Sequence, residues 1–211
     1  TLSSSSAASD VYKRQVIDNL SSDNSVEIIS QYKEIKLYKN DKNGCSSGRN
    51  LGVKKATKKY ILFLDSDQYP TNEEWLDNYI DILLKKGDFG AIGWTAGWFN
   101  KEGYAFHTVD DFEYRFMPPL YLCRKDIGYI GSGGMMMSKK LFDEIGGFDE
   151  NYDPTCYEDT DISLKIRNVG KEIVYCPYLG IIHNPHQTTK SGSNEHSVLI
   201  KNKGCLLYTS D

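Results

Sequence analysis

The chain has 211 residues, 39% of them hydrophobic and 26% charged, and a formal net charge of −4; it is long enough for one domain with a sizeable core at about 100–200 residues per domain. The mildly acidic balance argues against a general nucleic-acid binder, whose footprint is a basic surface, and no apolar run approaches the ~20 residues that span a bilayer. Without CxxC spacing, Cys45, Cys123, Cys156 and Cys176 are expected to be reduced cytosolic thiols, mostly buried.

At the N-terminus, SSAASDVYKRQ (Ser5–Gln15) resembles a translated transposon-type sequencing adapter. Asp10–Gln15 can be encoded by GATGTGTATAAGAGACAG, and the complementary strand, read from its second base, encodes Cys205–Ser210. Ends that encode each other's complement are expected of a gene fragment bounded by adapters and are excluded from fold reasoning. Residues 1–15 are therefore expected to be adapter-derived and disordered, 16–190 to be one domain cut at both ends, 191–204 a polar tail, and 205–211 adapter again. Asp10, Lys13, Arg14 and Asp211 cancel, so the net charge belongs to the part between.

Within that part, short apolar runs alternate with amphipathic stretches, the pattern of an α/β sheet covered by helices. Val16–Asp18 reads as the end of a strand. Ser22 or Asp23 caps a helix with Val26, Ile28, Ile29 and Tyr32 turned inward, and IKLYKN is a second strand. NGCSSGRN opens a helix through Leu51 and Ala56, and Tyr60–Leu64 is the most hydrophobic strand. Thr71 and Glu74 have capping-box spacing before a helix whose inner face is Trp75, Leu76, Tyr79, Ile80 and Leu83. FGAIGW is a strand, and between Trp94 and Ile130 periodicity is lost, so substrate-facing loops and short strands are expected. SGGMMMS is a buried strand, Ser138 caps a helix ending at Gly146, and YEDTDISLKIRNVG is a helix ended by Gly170, with Ile162, Ile166 and Val169 inward. EIVYCP is a last strand.

The chemistry starts at YILFLDSDQYP. Asp65 and Asp67 stand where the strand pattern gives out, at the carboxyl end of a central strand, where open α/β sheets place ligands. Alternation puts residues i and i+2 on one side, so both carboxylates can face one ligand. Two like charges that close call for a positive charge between them, and Mg²⁺ or Mn²⁺ is typically held by one or two carboxylates plus substrate phosphates. An isolated DxD reads more readily as a pair of helix-capping or turn aspartates before QYPTNEE.

It is not isolated. The order VIDNLSSDNS, NGCSSGRNLGVKKATKKYILFLDSDQYP, GSGGMMMSKKLFDEIGGFDENY, YEDTDISLKIRNVGKEIVYCP and IIH resembles a family-two glycosyltransferase of the GT-A fold over nearly all of Val16–His183. That resemblance implies an α/β, Rossmann-like, single and mostly parallel sheet flanked by helices, with its first strand and helix missing here. It implies that Asp18 contacts the nucleoside, that Arg49 lies near the nucleotide, and that Gly133 and Gly134 line the nucleotide-sugar site. Asp65 and Asp67 would hold metal and diphosphate, joined by His183, while Asp159 would be the general base with Glu158 beside it. The implied reaction inverts the anomeric centre, moving a sugar from a nucleotide-diphosphate sugar to the hydroxyl of a glycan, lipid-linked or protein acceptor, with Mg²⁺ or Mn²⁺ as cofactor. The implied setting is cytoplasmic, or peripheral at the inner face of the membrane through segments outside this chain, in polysaccharide biosynthesis.

The residues also admit plainer roles. Asp159 and Asp161 suit the first turn of any helix, His183 and His186 suit a surface loop, and Trp94, Trp98, Tyr104, Phe112 and Tyr114 divide between a sugar-stacking platform and core. Two other functions fit parts of the pattern: a haloacid-dehalogenase-type phosphatase and a non-catalytic sugar-nucleotide-binding module. The phosphatase expects its DxD on the first strand, whereas at least two strand-like segments precede Asp65. With a central strand position unfilled, the chain as written is expected to be inactive and aggregation-prone.

Overall fold

The structure is a computed structural model that describes residues 12–99, 105–109, 127–176 and 179–183. β1 (Arg14–Asp18) and β2 (Ile35–Lys39) are parallel, with Val16 opposite Leu37 and Asp18 opposite Lys39, and α1 (Ser25–Ser30) crosses between them. The strand starts two residues before the expected boundary. Arg14 and Gln15 pair with Ile35 and Lys36, and the Gln15 side chain donates to the Gly52 carbonyl at 3.1 Å. A ladder uses backbone groups, so a polar stretch can extend a strand from its exposed edge. Of the four apolar side chains expected to turn inward, Val26 and Ile29 are half-buried, while Ile28 and Tyr32 are exposed. A helix of six residues offers one narrow stripe, too little to turn four apolar side chains inward.

α2 (Cys45–Lys55) packs on β1, and its N-terminal N–H groups find a partner far along the chain. Asp153 accepts from Ser46 N at 2.8 Å and from Ser47 N at 3.3 Å, so a carboxylate sits at the positive end of the helix. β3 (Tyr60–Leu62) follows, then a turn, β4 (Gln68–Pro70) and α3 (Trp75–Lys86). The capping box does not form: Glu74 occupies the N-cap without a side-chain bond, and Thr71 donates its N–H to the Gly180 carbonyl at 2.8 Å. Pairing of β4 with β11 (Ile181–His183) draws Thr71 away from the helix. Ile82, outside the expected face, is one of the most buried residues of α3.

β5 (Ala91–Gly93), β9 (Met136–Ser138) and β10 (Ile173–Tyr175) join β3 in the order β10-β5-β9-β3. β10 and β5 are parallel, but β9 runs antiparallel to both neighbours. The expected single, mostly parallel sheet is thus divided into four sheets among the described residues. β9 is reached through Gly131–Gly134 from β8 (Tyr129–Ile130), without the helical crossover a parallel strand requires. Both faces of the central ladder are covered. Met135 and Met137 enter one cluster with Phe63, Phe142, Ile162 and Ile166, while Met136 enters the other with Tyr79, Trp94 and Val174, as period-two alternation requires.

In the region without periodicity, β6 (Ala96–Phe99), β7 (Ala105–Val109) and β8 form an antiparallel ladder in the order β7-β6-β8. Tyr104, Phe112, Tyr114 and His186 lie outside the described residues. Ser138 caps α4 (Lys139–Glu144), accepting from Leu141 N at 3.1 Å, and Gly146 follows at φ +80°. α5 (Glu158–Asn168) buries Ile162 and Ile166 completely, but Val169 is 43% exposed because the helix has already ended at Asn168. Cys45 and Cys156 are free thiols, whereas Cys176 is disulfide-bonded, against the expectation of reduced thiols throughout. A pairing made by fold proximity leaves no spacing signal in the sequence.

Candidate active site

Three acidic residues, Asp65, Glu158 and Asp159, converge with Arg49 where β3 ends and α5 begins. After Leu62 the chain makes two more hydrogen bonds with β9's approach, Phe63 N donating to the Met135 carbonyl and the Phe63 carbonyl accepting from Gly134 N, and then turns. Gln68 N donates to the Asp65 carbonyl at 3.0 Å, and Asp65 N donates to Gln68 Oε1 at 3.1 Å. Asp65 and Asp67 therefore lie in one turn beyond the end of β3 and not along the strand.

Arg49, from α2, reaches across to both halves. Its Nη2 lies 2.7 Å from Asp65 Oδ1 and its Nη1 lies 3.1 Å from Glu158 Oε1, with the guanidinium 5.6 Å from the centre of the Phe148 ring. Burial disfavours its charge, but Asp65 and then Glu158 outweigh that and raise its pKa further. Glu158 is 6% exposed, and its second oxygen has no hydrogen-bond partner among the described residues. Asp159 is half-buried; its Oδ1 accepts from Thr160 N at 2.7 Å and from the Thr160 hydroxyl at 3.3 Å. Burial first, then the neighbouring charge of Glu158, push its carboxyl up to about 7, against the pull of Thr160 and Arg49. Tyr129, on β8, is likewise raised by burial and by the Asp159 charge, so β8 faces the helix terminus. Cys156 and Tyr157 lead into α5 at φ +77° and +70°. Two successive non-glycine residues in the left-handed region are strain of the kind that gathers at functional sites.

The two glycines expected to line the site divide. A Cβ on Gly133 would lie 2.3 Å from Asp65 Oδ2 and 2.5 Å from Gln68 Nε2, so its bare backbone closes directly over the carboxylate. Gly134, at φ +80°, faces the core: a Cβ there would lie 2.2 Å from Trp94 Cδ1, and its carbonyl accepts from the Tyr79 hydroxyl at 2.5 Å. Trp94 is 1% exposed and donates Nε1–H to the Gly133 carbonyl at 3.0 Å, which places it in the core and not on a sugar platform.

Asp18 stands apart at the carboxyl end of β1, 8% exposed, accepting from Ser21 N at 3.0 Å. The link to Arg49 runs through α2, since neighbouring Asn19 donates to the Gly44 carbonyl at the helix N-cap. His183 is the register partner of Gln68 across β11 and β4, one position from Asp67. Gln68 and Asp153 are additions that sequence reasoning missed. Gln68 follows the motif directly, but Asp153 acts on Ser46 from 107 residues away, which no local pattern reports.

A model described as glycosyl transferase family 2 matches residues 7–146. The chain belongs to that family. A family-two glycosyltransferase was expected from the motifs, and the α/β GT-A architecture is the one observed. YibD of Escherichia coli, an uncharacterized glycosyltransferase, is 42% identical over 101 residues, 44% of this chain and 28% of its own length. The fold is shared with a crystal structure of GalNAc-T7 with UDP, GalNAc and Mn²⁺, at TM-score 0.70 and 16% identity over 92% of this chain and 41% of that one. It is also shared with mannosyltransferase PcManGT from Pyrobaculum calidifontis in complex with GDP-Man and Mn²⁺, at TM-score 0.60 and 16% identity over 88% and 52% of the two chains. The chain spans 19–32% of the length of the curated relatives it matches. The family match disfavours the phosphatase alternative.

Proposed function

We propose that the chain carries the catalytic core of an inverting glycosyltransferase that moves a sugar from a nucleotide-diphosphate sugar to an acceptor hydroxyl, with Mg²⁺ or Mn²⁺ assisting. The observation that carries this reading is the division of the acids into two stations, Asp65 with Asp67 in one turn and Glu158 with Asp159 on one helix terminus, held on either side of Arg49. Breaking a sugar–diphosphate bond and activating a hydroxyl are separate tasks that need separate carboxylates. The nucleotides and Mn²⁺ of the two structural neighbours support the donor class and the metal.

The residues of the turn fit a hard cation. Asp65 spends Oδ1 on Arg49 and turns Oδ2 toward the gap that the missing Gly133 side chain leaves. Among the described residues no cluster of three His, Cys, Asp or Glu closes around a metal. Asp65 and Asp67, with His183 nearby in register, would hold such an ion together with substrate phosphates, the usual ligand set of Mg²⁺. When bound, it supplies charge stabilisation for the departing diphosphate.

Asp159 accepts the proton of the acceptor hydroxyl. Oδ1 is occupied by Thr160, so the transfer falls to Oδ2, and a base that titrates near neutrality takes a proton with little mismatch. Asp18 binds the nucleoside, Gly133 lets the donor approach the turn, and Glu158 keeps Asp159 basic. The acceptor is a glycan, a lipid-linked saccharide or a protein. Among the described residues no helix is long and apolar enough to cross a membrane.

The test is release of free nucleotide from a panel of UDP- and GDP-sugars by the complete gene product, with and without Mn²⁺. Metal-dependent release from at least one donor is expected. Release from none of them, or phosphate release from simple phosphomonoesters instead, overturns the reading.

A further inference from the structure

Arg49 touches Asp65, 16 residues away, and Glu158, 109 residues away, through different nitrogens of one guanidinium. We propose that Arg49 is a positioning residue that ties the turn holding Asp65 to the helix terminus bearing Glu158 and Asp159, setting both acid stations from one buried point. This deepens the reading of those stations given above and rests on it.

Only a planar fork can do this. Arginine presents its donors in fixed directions and bonds two acceptors at once, whereas a lysine ammonium is a single point on a flexible stem. The arginine itself is held from several sides. Phe148 lies beside the guanidinium, and Asn50, next in sequence, both donates to the Phe148 carbonyl at 2.9 Å and accepts from Phe148 N at 3.0 Å. Asp153 fixes the N-terminus of the same helix. The side chain is 12% exposed, and that of Glu158 is 8% exposed. With the second oxygen of Glu158 unbonded, loss of Arg49 leaves a buried carboxylate uncompensated beside Asp159.

The charged and titratable groups around Asp159 are Glu158 on its own helix, Arg49 from α2, Tyr129 from β8, and Cys156 and Tyr157 from the entering loop; Thr160 bonds it directly. Arg49 and Glu158 act on it with opposite sign. Titration of the Asp159 carboxyl by carbon NMR in the 211-residue chain, without nucleotide sugar or metal, reads this directly. Arg49→Gln is expected to raise its midpoint by about one pH unit, Arg49→Lys by less than half as much, and Glu158→Gln to lower it. The second readout is the amide resonances of Ser66, Asp67 and Gln68. Glu158→Gln must move them, and must move them no further once Arg49 is already Gln. Equal or same-direction midpoint shifts in Arg49→Gln and Glu158→Gln, or turn resonances that respond to Glu158→Gln regardless of Arg49, overturn the proposal. If Arg49→Gln does not fold, Glu158→Gln decides alone: an unmoved midpoint or an unmoved turn rejects the tie. Opposite shifts without nucleotide release would reject the transferase reading only, and release without these shifts would reject only the tie.

Discussion

Asp65 and Asp159 are the same side chain in opposite surroundings. Asp65 hangs in a turn, 37% of its side chain exposed, with a guanidinium 2.7 Å away. Asp159 opens a helix beside a second carboxylate, where burial and that neighbour favour the protonated form. The first setting suits an acid that gathers positive charge; the second suits one that exchanges a proton near neutrality. Environment and not residue type assigns the roles.

The largest effect should come from removing the proton acceptor. In the complete gene product, Asp159→Asn is expected to lower single-turnover rates by about 10²–10⁴-fold while leaving nucleotide-sugar affinity within a few-fold. Asp67→Ala should do the reverse, weakening Mn²⁺-dependent binding as read by calorimetry. Equal loss of binding in both would erase the distinction between the stations.

Crowding the Asp65 side comes next. Gly133→Ala places a Cβ 2.3 Å from Asp65 Oδ2, so either the carboxylate or Gln68 must move. We expect a stability loss of ~1–3 kcal/mol in denaturant unfolding together with weaker metal-dependent binding. Gly146→Ala is the control: it meets nothing within 4 Å but sits at φ +80°, so it should cost ~1–2 kcal/mol of left-handed strain and leave binding alone.

The helix side should show itself as a pH dependence. The Asp159 pKa is raised in the folded state above its ordinary 3.8, so its contribution to stability is fully present below about 4 and is lost as pH rises toward about 7. The melting temperature of Asp159→Asn relative to the native chain should therefore climb across that window. A flat difference would mean the carboxyl is not raised.

The smallest effect is expected where the same kind of pair lies in water. Lys85 and Asp81 are 2.9 Å apart on α3 but 52% and 62% exposed, and Lys85→Ala should change stability by no more than ~0.5 kcal/mol. A larger change would weaken the claim that burial is what gives Arg49 its weight.

What lies within a few residues along the chain was legible in advance. The apolar run of β3, the buried methionines of β9, the Ser138 cap, the glycines after α4 and α5, and the acids of DSD and ED follow from period, cap chemistry and motif, because those forces act over one or two turns. Tertiary structure decided the rest. Thr71 had capping-box spacing but went to Gly180; Gly133 and Gly134 are adjacent and alike, yet one faces a carboxylate and the other an indole. Val169 and Tyr32 fall beyond the ends of their helices, and Ile28 lies off the one stripe that the short α1 turns inward. Arg49 could be matched to a motif, but its two partners, 16 and 109 residues away, meet only when α2, the β3 turn and α5 pack together. Periodicity and capping are local; a buried ion pair exists only after the chain has closed the loops that bring its members within 4 Å.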